Sequence, residues 1–172
     1  TRLRSGNVFT LWFDHGENPV NAAYSYVVVP GIDSEEKAQS YDLSAIEIVE
    51  NSADIQAVYH KTLDILEVIF YQPQTLTHGD RTITVNRSCA LMLKNGTLVS
   101  VSDPAQTHSN VTVTIENNGT TYEKTIDLPV EDGMHGASVT VDFEIPTRTS
   151  FIRNDENLQI LCYTNSTPGT IN

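Results

Sequence analysis

The sequence predicts an all-β fold, an antiparallel β-sandwich with one short helix. Three observations carry that prediction. Apolar and polar residues alternate with period two, as in Val111-Thr-Val-Thr-Ile115, Val139-Thr-Val-Asp-Phe143 and Thr82-Ile-Thr-Val85. Such alternation buries one face of a strand and wets the other, the habit of antiparallel sheets. Turn residues punctuate the runs: His78-Gly79-Asp80, Asn95-Gly96, Asp103-Pro104, Asn117-Asn118-Gly119 and Asp132-Gly133. Short strands at that spacing imply a sandwich. Only one stretch carries a helix-start signal.

Taken in order, Val8–Phe13 reads as a strand that contains the single tryptophan, Trp12. Asp14–Asn21 reads as a turn, because Gly16, Asn18 and Pro19 each suit one. Ala22–Val29 is aromatic and β-branched and reads as a second strand, stopped by Pro30-Gly31. Asp33 with Glu36 three residues later forms a capping box, and Lys37–Ser40 extends that short helix. Leu63–Phe70 partly fits helical spacing, but its β-branched and aromatic content and the Tyr71-Gln72-Pro73 stop favour a strand. Leu91–Lys94 and Thr97–Val101 flank Asn95-Gly96, a pair suited to a type I′ hairpin turn. Asn118-Gly119 joins Val111–Glu116 to Thr121–Leu128 in the same way. Leu158–Tyr163 is a last apolar run, and the polar end from Thr164 to Asn172 is expected to fray. A boundary near Asn51-Ser52 divides the chain into residues 1–50 and residues 52–172.

The 172 residues contain 10 Lys and Arg against 22 Asp and Glu, for a formal charge of -12. That surface argues against nucleic acid, whose phosphates reward Lys and Arg. It also argues against a dominant electrostatic grip on polyanions; the bland reading is that the charge confers solubility. No apolar run approaches the roughly 20 residues of a membrane helix. Thr1–Gly6 leads straight into a strand with no signal peptide, which reads as an interior point of a longer protein or as a processed N-terminus. Cys89 shares a strand face with Leu91 and Leu93 and reads as a buried thiol. A Cys89–Cys162 disulfide would suit an exported protein. Asn86, Asn95, Asn110, Asn118 and Asn165 each begin an N-x-S/T sequon, a weak signal in a chain rich in Asn and Thr.

Few residues point to chemistry. Asp14-His15 resembles half of an acid/base pair, but neighbours on a strand face opposite ways, so a structural turn or a rim contact competes with catalysis. Trp12, Tyr24 and Tyr26 could stack on pyranose rings or pack in a core. His60, His78, His108 and His135 lack ligand spacing. Asp127, Glu131 and Asp132 lack the alternation of oxygen ligands around a glycine that calcium loops show. Ser100, Ser102 and Asp103 form no triad, and neither a nucleophile elbow nor a phosphate-cradling loop occurs. The candidate carbohydrate contacts are therefore Trp12, His15, Tyr24 and Tyr26. No catalytic residue, metal ligand or cofactor is expected.

The segment from Val8 to Gly31 resembles the end of the large β-domain of polysaccharide lyase family eight, the chondroitin AC, hyaluronan and xanthan lyases. Ile55–His60, Val68–Gln72, Cys89–Leu93 and Leu98–Gln106 resemble, in order, the C-terminal domain of the same enzymes. The tail after Pro146 matches nothing in that pattern. The resemblance implies a helical toroid, a β super-sandwich and a small C-terminal sandwich, of which this chain would hold the last super-sandwich strands and the C-terminal sandwich. It implies β-elimination at a uronic acid, by Asn, His, Tyr and Arg groups in the helical domain. None of those motifs occurs here, so no catalytic residue is carried over and the segment alone is expected to be inactive. Its implied role is to brace the catalytic domain and rim the cleft of an exported bacterial lyase, secreted or periplasmic, acting on chondroitin or hyaluronan. The implied partners are the acidic polysaccharide and the helical and super-sandwich domains, with no nucleic acid and no membrane. A stand-alone carbohydrate-binding sandwich is the alternative.

Overall fold

A computed structural model describes Gly6, Thr10, residues 12–151 and residues 160–164. Ten strands build the sandwich: β1 (Ile46–Asn51), β2 (Ile55–His60), β3 (Ile65–Phe70), β4 (Gln74–His78), β5 (Arg81–Val85), β6 (Cys89–Lys94), β7 (Leu98–Ser102), β8 (Asn110–Asn117), β9 (Thr120–Asp127) and β10 (Val139–Asp142). One sheet runs β1-β2-β3-β6-β7-β10 and the other β4-β5-β8-β9. All pairs are antiparallel. Two later strands, β11 (Thr147–Phe151) and β12 (Ile160–Thr164), pair antiparallel with each other. The all-β fold with one short helix is thus observed, and Ile65–Phe70 is a strand.

Alternation decides the burial. Leu66, Val68 and Phe70 on β3 face inward with Leu91 and Leu93 on β6 and Val99 and Val101 on β7. They meet Ile83, Val85, Val111, Val113 and Ile115 from the other sheet in one core. Apolar burial of this kind contributes roughly 25 cal/mol per Å². The turns fit their residues. Asn95 and Gly96 have φ of 51° and 69°, and Asn118 and Gly119 have 50° and 76°. Two positive φ values are what a type I′ turn demands. On the outer face of the second sheet, threonines pair across strands: Thr75 with Thr84 at 2.9 Å and Thr112 with Thr125 at 2.9 Å.

Three expectations change. First, no strand takes in residues 12–29, although Ala22–Val29 has strand composition. β-propensity expresses fit to a pleated, half-buried surface, and no ladder among the described residues supplies one there. The Val8–Leu11 part of that expectation lies partly outside the described residues, as does the polar end after Thr164. Second, the helix α1 (Glu35–Gln39) is capped by Ser34, whose Oγ accepts the Lys37 N–H at 3.3 Å. Asp33 instead meets the Lys37 Nζ at 2.6 Å. The cap falls one residue later because Ser34 holds the extended backbone that an N-cap needs. Third, the chain forms two compact units, residues 1–41 and residues 42–172. The Ala45–Val49 stretch, expected ahead of a boundary at Asn51-Ser52, lies mostly in β1 and hairpins with β2. That pairing ties it to the second unit.

Candidate functional site

The four candidate contacts all belong to the first unit. Asp14 is taken up by the turn, where its Oδ1 accepts the Gly16 N–H at 2.8 Å. This local bond bends the chain at Gly16, whose φ is 73°. The bend places an aromatic group on each arm. Phe13 stacks on Tyr24 with ring centroids 4.7 Å apart and lies 6.0 Å from Tyr26. Tyr24 and Tyr26 are 6.3 Å apart and nearly parallel, as residues two apart on extended chain should be. The His15 ring lies 6.1 Å from Tyr24. The structure thus gathers His15, Tyr24 and Tyr26 and adds Phe13. It gives Trp12 no ring partner among the described residues.

These rings are wet. Trp12 is 75% exposed, Tyr24 57% and Tyr26 63%. Val20, Val27 and Val28 are exposed beside them in sequence. Large apolar patches on a protein surface mark binding or docking sites. Sequence reasoning missed Phe13 as the central ring. Trp12 and Phe13 alternate, and only the register across the turn decides which of them meets Tyr24.

The second unit shows other surfaces. On the outer face of the six-stranded sheet, Ile48, Val58 and Ile69 are exposed. Val58 and Ile69 border a concavity of about 450 Å³ also lined by Gln56, Glu67, Met92 and Ser100. His60, His78 and Asp103 are occupied separately. His60 Nδ1 accepts the Leu63 N–H at 3.3 Å, and the His78 ring lies 4.6 Å from Tyr59. Asp103 is buried and closes its own loop, accepting N–H groups from Ala105 at 2.9 Å, Thr107 at 2.6 Å and His108 at 2.7 Å. Burial raises its pKa, but those N–H groups outweigh burial and hold it below the ordinary carboxylate value. Cys89 is a free, buried thiol. Burial, with the Asp103 charge nearby, pushes its pKa to about 12, so it is no nucleophile at neutral pH. No group of three or more His, Cys, Asp or Glu among the described residues could hold a metal ion. No helix among them is long and apolar enough to cross a membrane.

Comparison with known proteins explains the two units together. The polysaccharide lyase family 8 super-sandwich domain matches residues 1–42. The polysaccharide lyase family 8 C-terminal beta-sandwich domain matches residues 47–112. The break between these matches falls beside the division at Tyr41 and Asp42. The chain is 36% identical over 140 residues to a chondroitinase-AC of Pedobacter heparinus, covering 78% of this chain and 20% of that relative. It is 37% identical over 114 residues to a xanthan lyase of Bacillus sp. strain GL1, covering 64% of this chain and 12% of that relative. A solved chondroitinase AC lyase superposes with a TM-score of 0.63 at 33% identity, over 72% of this chain and 19% of that structure. The chain thus spans a fifth or less of the length of these relatives. Sequence and fold agree that the chain belongs to polysaccharide lyase family 8, with a stretch of its super-sandwich domain followed by its C-terminal β-sandwich domain.

Proposed function

We propose that this chain is the non-catalytic C-terminal part of a lyase that cleaves an acidic polysaccharide, of the chondroitin or hyaluronan class, by β-elimination. Its role is to brace the catalytic domain and rim one side of the substrate cleft. The observation that carries this reading is the pairing of a super-sandwich match over 1–42 with an unladdered, aromatic-rich stretch over 12–29. Extended chain with exposed Trp12, Val20, Tyr26 and Val28 calls for neighbouring strands. The super-sandwich match over residues 1–42 supports the rest of that domain as their source and as the partner of this segment. The likeness to chondroitinase-AC supports the substrate class. A polymer of that size stays outside the cell membrane, which supports a secreted or periplasmic location.

Adding the upstream domains as a separate chain tests the bracing role. Co-purification, with the single Trp12 shielded from iodide quenching, is the expected result. Unchanged Trp12 quenching in the mixture would overturn it.

The exposed rings of Phe13, Tyr24 and Tyr26 favour a second reading, a free-standing carbohydrate-binding module. Affinity electrophoresis through gels containing chondroitin sulfate, hyaluronan or xanthan separates the two readings. Retardation of the isolated chain, lost in Tyr24→Ala, supports the binding module. Unchanged mobility in all three gels supports the brace.

A further inference from the structure

The two outer faces of the sandwich differ in kind. On the four-stranded sheet the outward positions are threonine and glutamate. Thr84 stands opposite Thr75 and Thr114, and Thr114 stands opposite Glu123. Their hydroxyls are matched to one another or to the Glu123 carboxylate. That face is finished for water. On the six-stranded sheet the outward positions are apolar or small. Ile48 stands opposite Val58, Ile69 opposite Ala90, and Met92 opposite Ser100. Among the described residues of strands β1 to β10, the exposed large apolar side chains are Ile48, Val58 and Ile69, and all three belong to this sheet.

The apolar character is also graded along the sheet. In the order β1-β2-β3-β6-β7-β10, the three exposed apolar residues fall on the first three strands. Ser100 on β7 and Thr140 on β10 finish the far end, with their hydroxyls 2.7 Å apart. Glu67 is the one charged side chain lining the concavity of about 450 Å³ beside Val58 and Ile69. Gln56, on the same lining, is already engaged and accepts the Tyr71 hydroxyl at 3.0 Å. A concavity without a cation has nothing to grip the carboxylates of an acidic polysaccharide. Apolar surface poor in charge is what the core of a protein–protein interface requires.

Connectivity selects the occupant. The super-sandwich match ends at residue 42, and β1, the edge strand of this same sheet, begins at Ile46. A link that short spans at most about 14 Å. A super-sandwich domain is thus attached beside the apolar end of the sheet, away from the Ser100–Thr140 end. Tethering gives it a high effective concentration against this face, an advantage that a second copy of the chain lacks.

We infer that the outer face of the six-stranded sheet, over β1, β2 and β3, is the surface on which the remainder of the super-sandwich domain docks, through an apolar and uncharged patch of that domain. Ile48, Val58 and Ile69 form its centre, and the concavity receives a projecting apolar side chain. The inference rests on the bracing role proposed above and names the surface that performs it. The threonine face of the other sheet stays in water.

The test follows the Ile, Val and Thr methyl resonances of the whole labelled chain as the upstream helical and super-sandwich domains are added as a separate chain. Iodide quenching of Trp12 is read in the same samples. The expected result is shielding of Trp12 together with saturable shifts of the Ile48, Val58 and Ile69 methyls, while the Thr75, Thr84 and Thr114 methyls stay in place. Ile69→Lys should weaken the association about tenfold or more, and Thr84→Lys should not. If Ile69→Lys does not fold, Val58→Thr takes its place, since it keeps a β-branched shape at an outward position, and it should weaken the association in the same direction. Shielding of Trp12 with the three apolar methyls unmoved would overturn this inference and leave the bracing role standing. Shifted methyls with Trp12 still open to quenching would support the docking face and count against the pairing of residues 12–29 with upstream strands. No change in either readout overturns both. Shifts of the three methyls that grow with the concentration of this chain alone would assign the face to a second copy and overturn the inference.

Discussion

Thr97 donates its hydroxyl hydrogen to Asp142 Oδ1 and so ties the Asn95-Gly96 turn to the end of β10. The same Oγ1 accepts the buried Ile145 N–H at 3.1 Å. One small buried side chain therefore satisfies a carboxylate and an interior backbone donor. Thr97→Val removes both bonds with little change of shape. Stranding the Ile145 N–H should cost roughly 1–3 kcal/mol, while Thr97→Ser should keep most of the stability. Urea midpoints with an unchanged m-value are the check. Equal midpoints for the Val and Ser variants would show that the hydroxyl contributes nothing.

Asp142 and Asp103 are carboxylates whose pKa values the fold holds low. The Thr97 hydroxyl, with the Glu144 N–H, lowers the Asp142 pKa from 3.8. Asp103 is lowered from 3.8 as well, its loop N–H groups outweighing burial. A carboxylate held low in the folded state favours folding while it is ionised. That contribution is present above 3.8 and is lost as pH falls through the lower folded values. The urea midpoint should therefore hold near neutral pH and fall steadily below about pH 4. Asp103→Asn should cost about 2 kcal/mol or more at neutral pH, since an amide cannot accept at both positions. It should also make the acid slope shallower.

Local features of the fold were legible and cross-sheet ones were not. Asn95-Gly96 and Asn118-Gly119 marked their hairpins because positive φ at two positions is a demand that few residue pairs meet. Val111, Val113 and Ile115 marked a buried face because period two is a property of the strand itself. Ala22–Val29 misled because its composition reports a sheet surface, while the ladder that would make it a strand is absent among the described residues. The Phe13–Tyr24 stack and the Arg81–Gly96 contact both depend on register between separate segments. Gly96 announced a turn. Nothing in its sequence setting announced that an arginine 15 positions earlier would lie on it.

Cys89 should resist alkylation in the native chain. It is 2% exposed, and its thiol is protonated far above neutral pH, with a pKa of about 12. Iodoacetamide at pH 8 should leave the Cys89 peptide unmodified in buffer and modify it in denaturing urea, read by mass spectrometry. Rapid native labelling would mean that β6 opens locally well below the global unfolding free energy.

Gly96 and Gly119 occupy equivalent turn positions but different surroundings, which separates backbone strain from packing. Both have positive φ, 69° and 76°. An alanine at either should cost about 1–2 kcal/mol in the left-handed conformation. At Gly119 nothing lies within 4 Å of the new Cβ, whereas at Gly96 it would meet the Arg81 guanidinium. The guanidinium is the far end of a flexible side chain and can swing away, so the two variants should differ by less than about 1 kcal/mol in urea unfolding. Their difference should appear at Arg81 instead. In Gly96→Ala the Arg81 Nε–H resonance should move to the exposed-arginine region and its hydrogen exchange should accelerate. In Gly119→Ala it should stay as in the parent. A Gly96→Ala variant with an unmoved Arg81 resonance would show that the guanidinium does not rest on that turn.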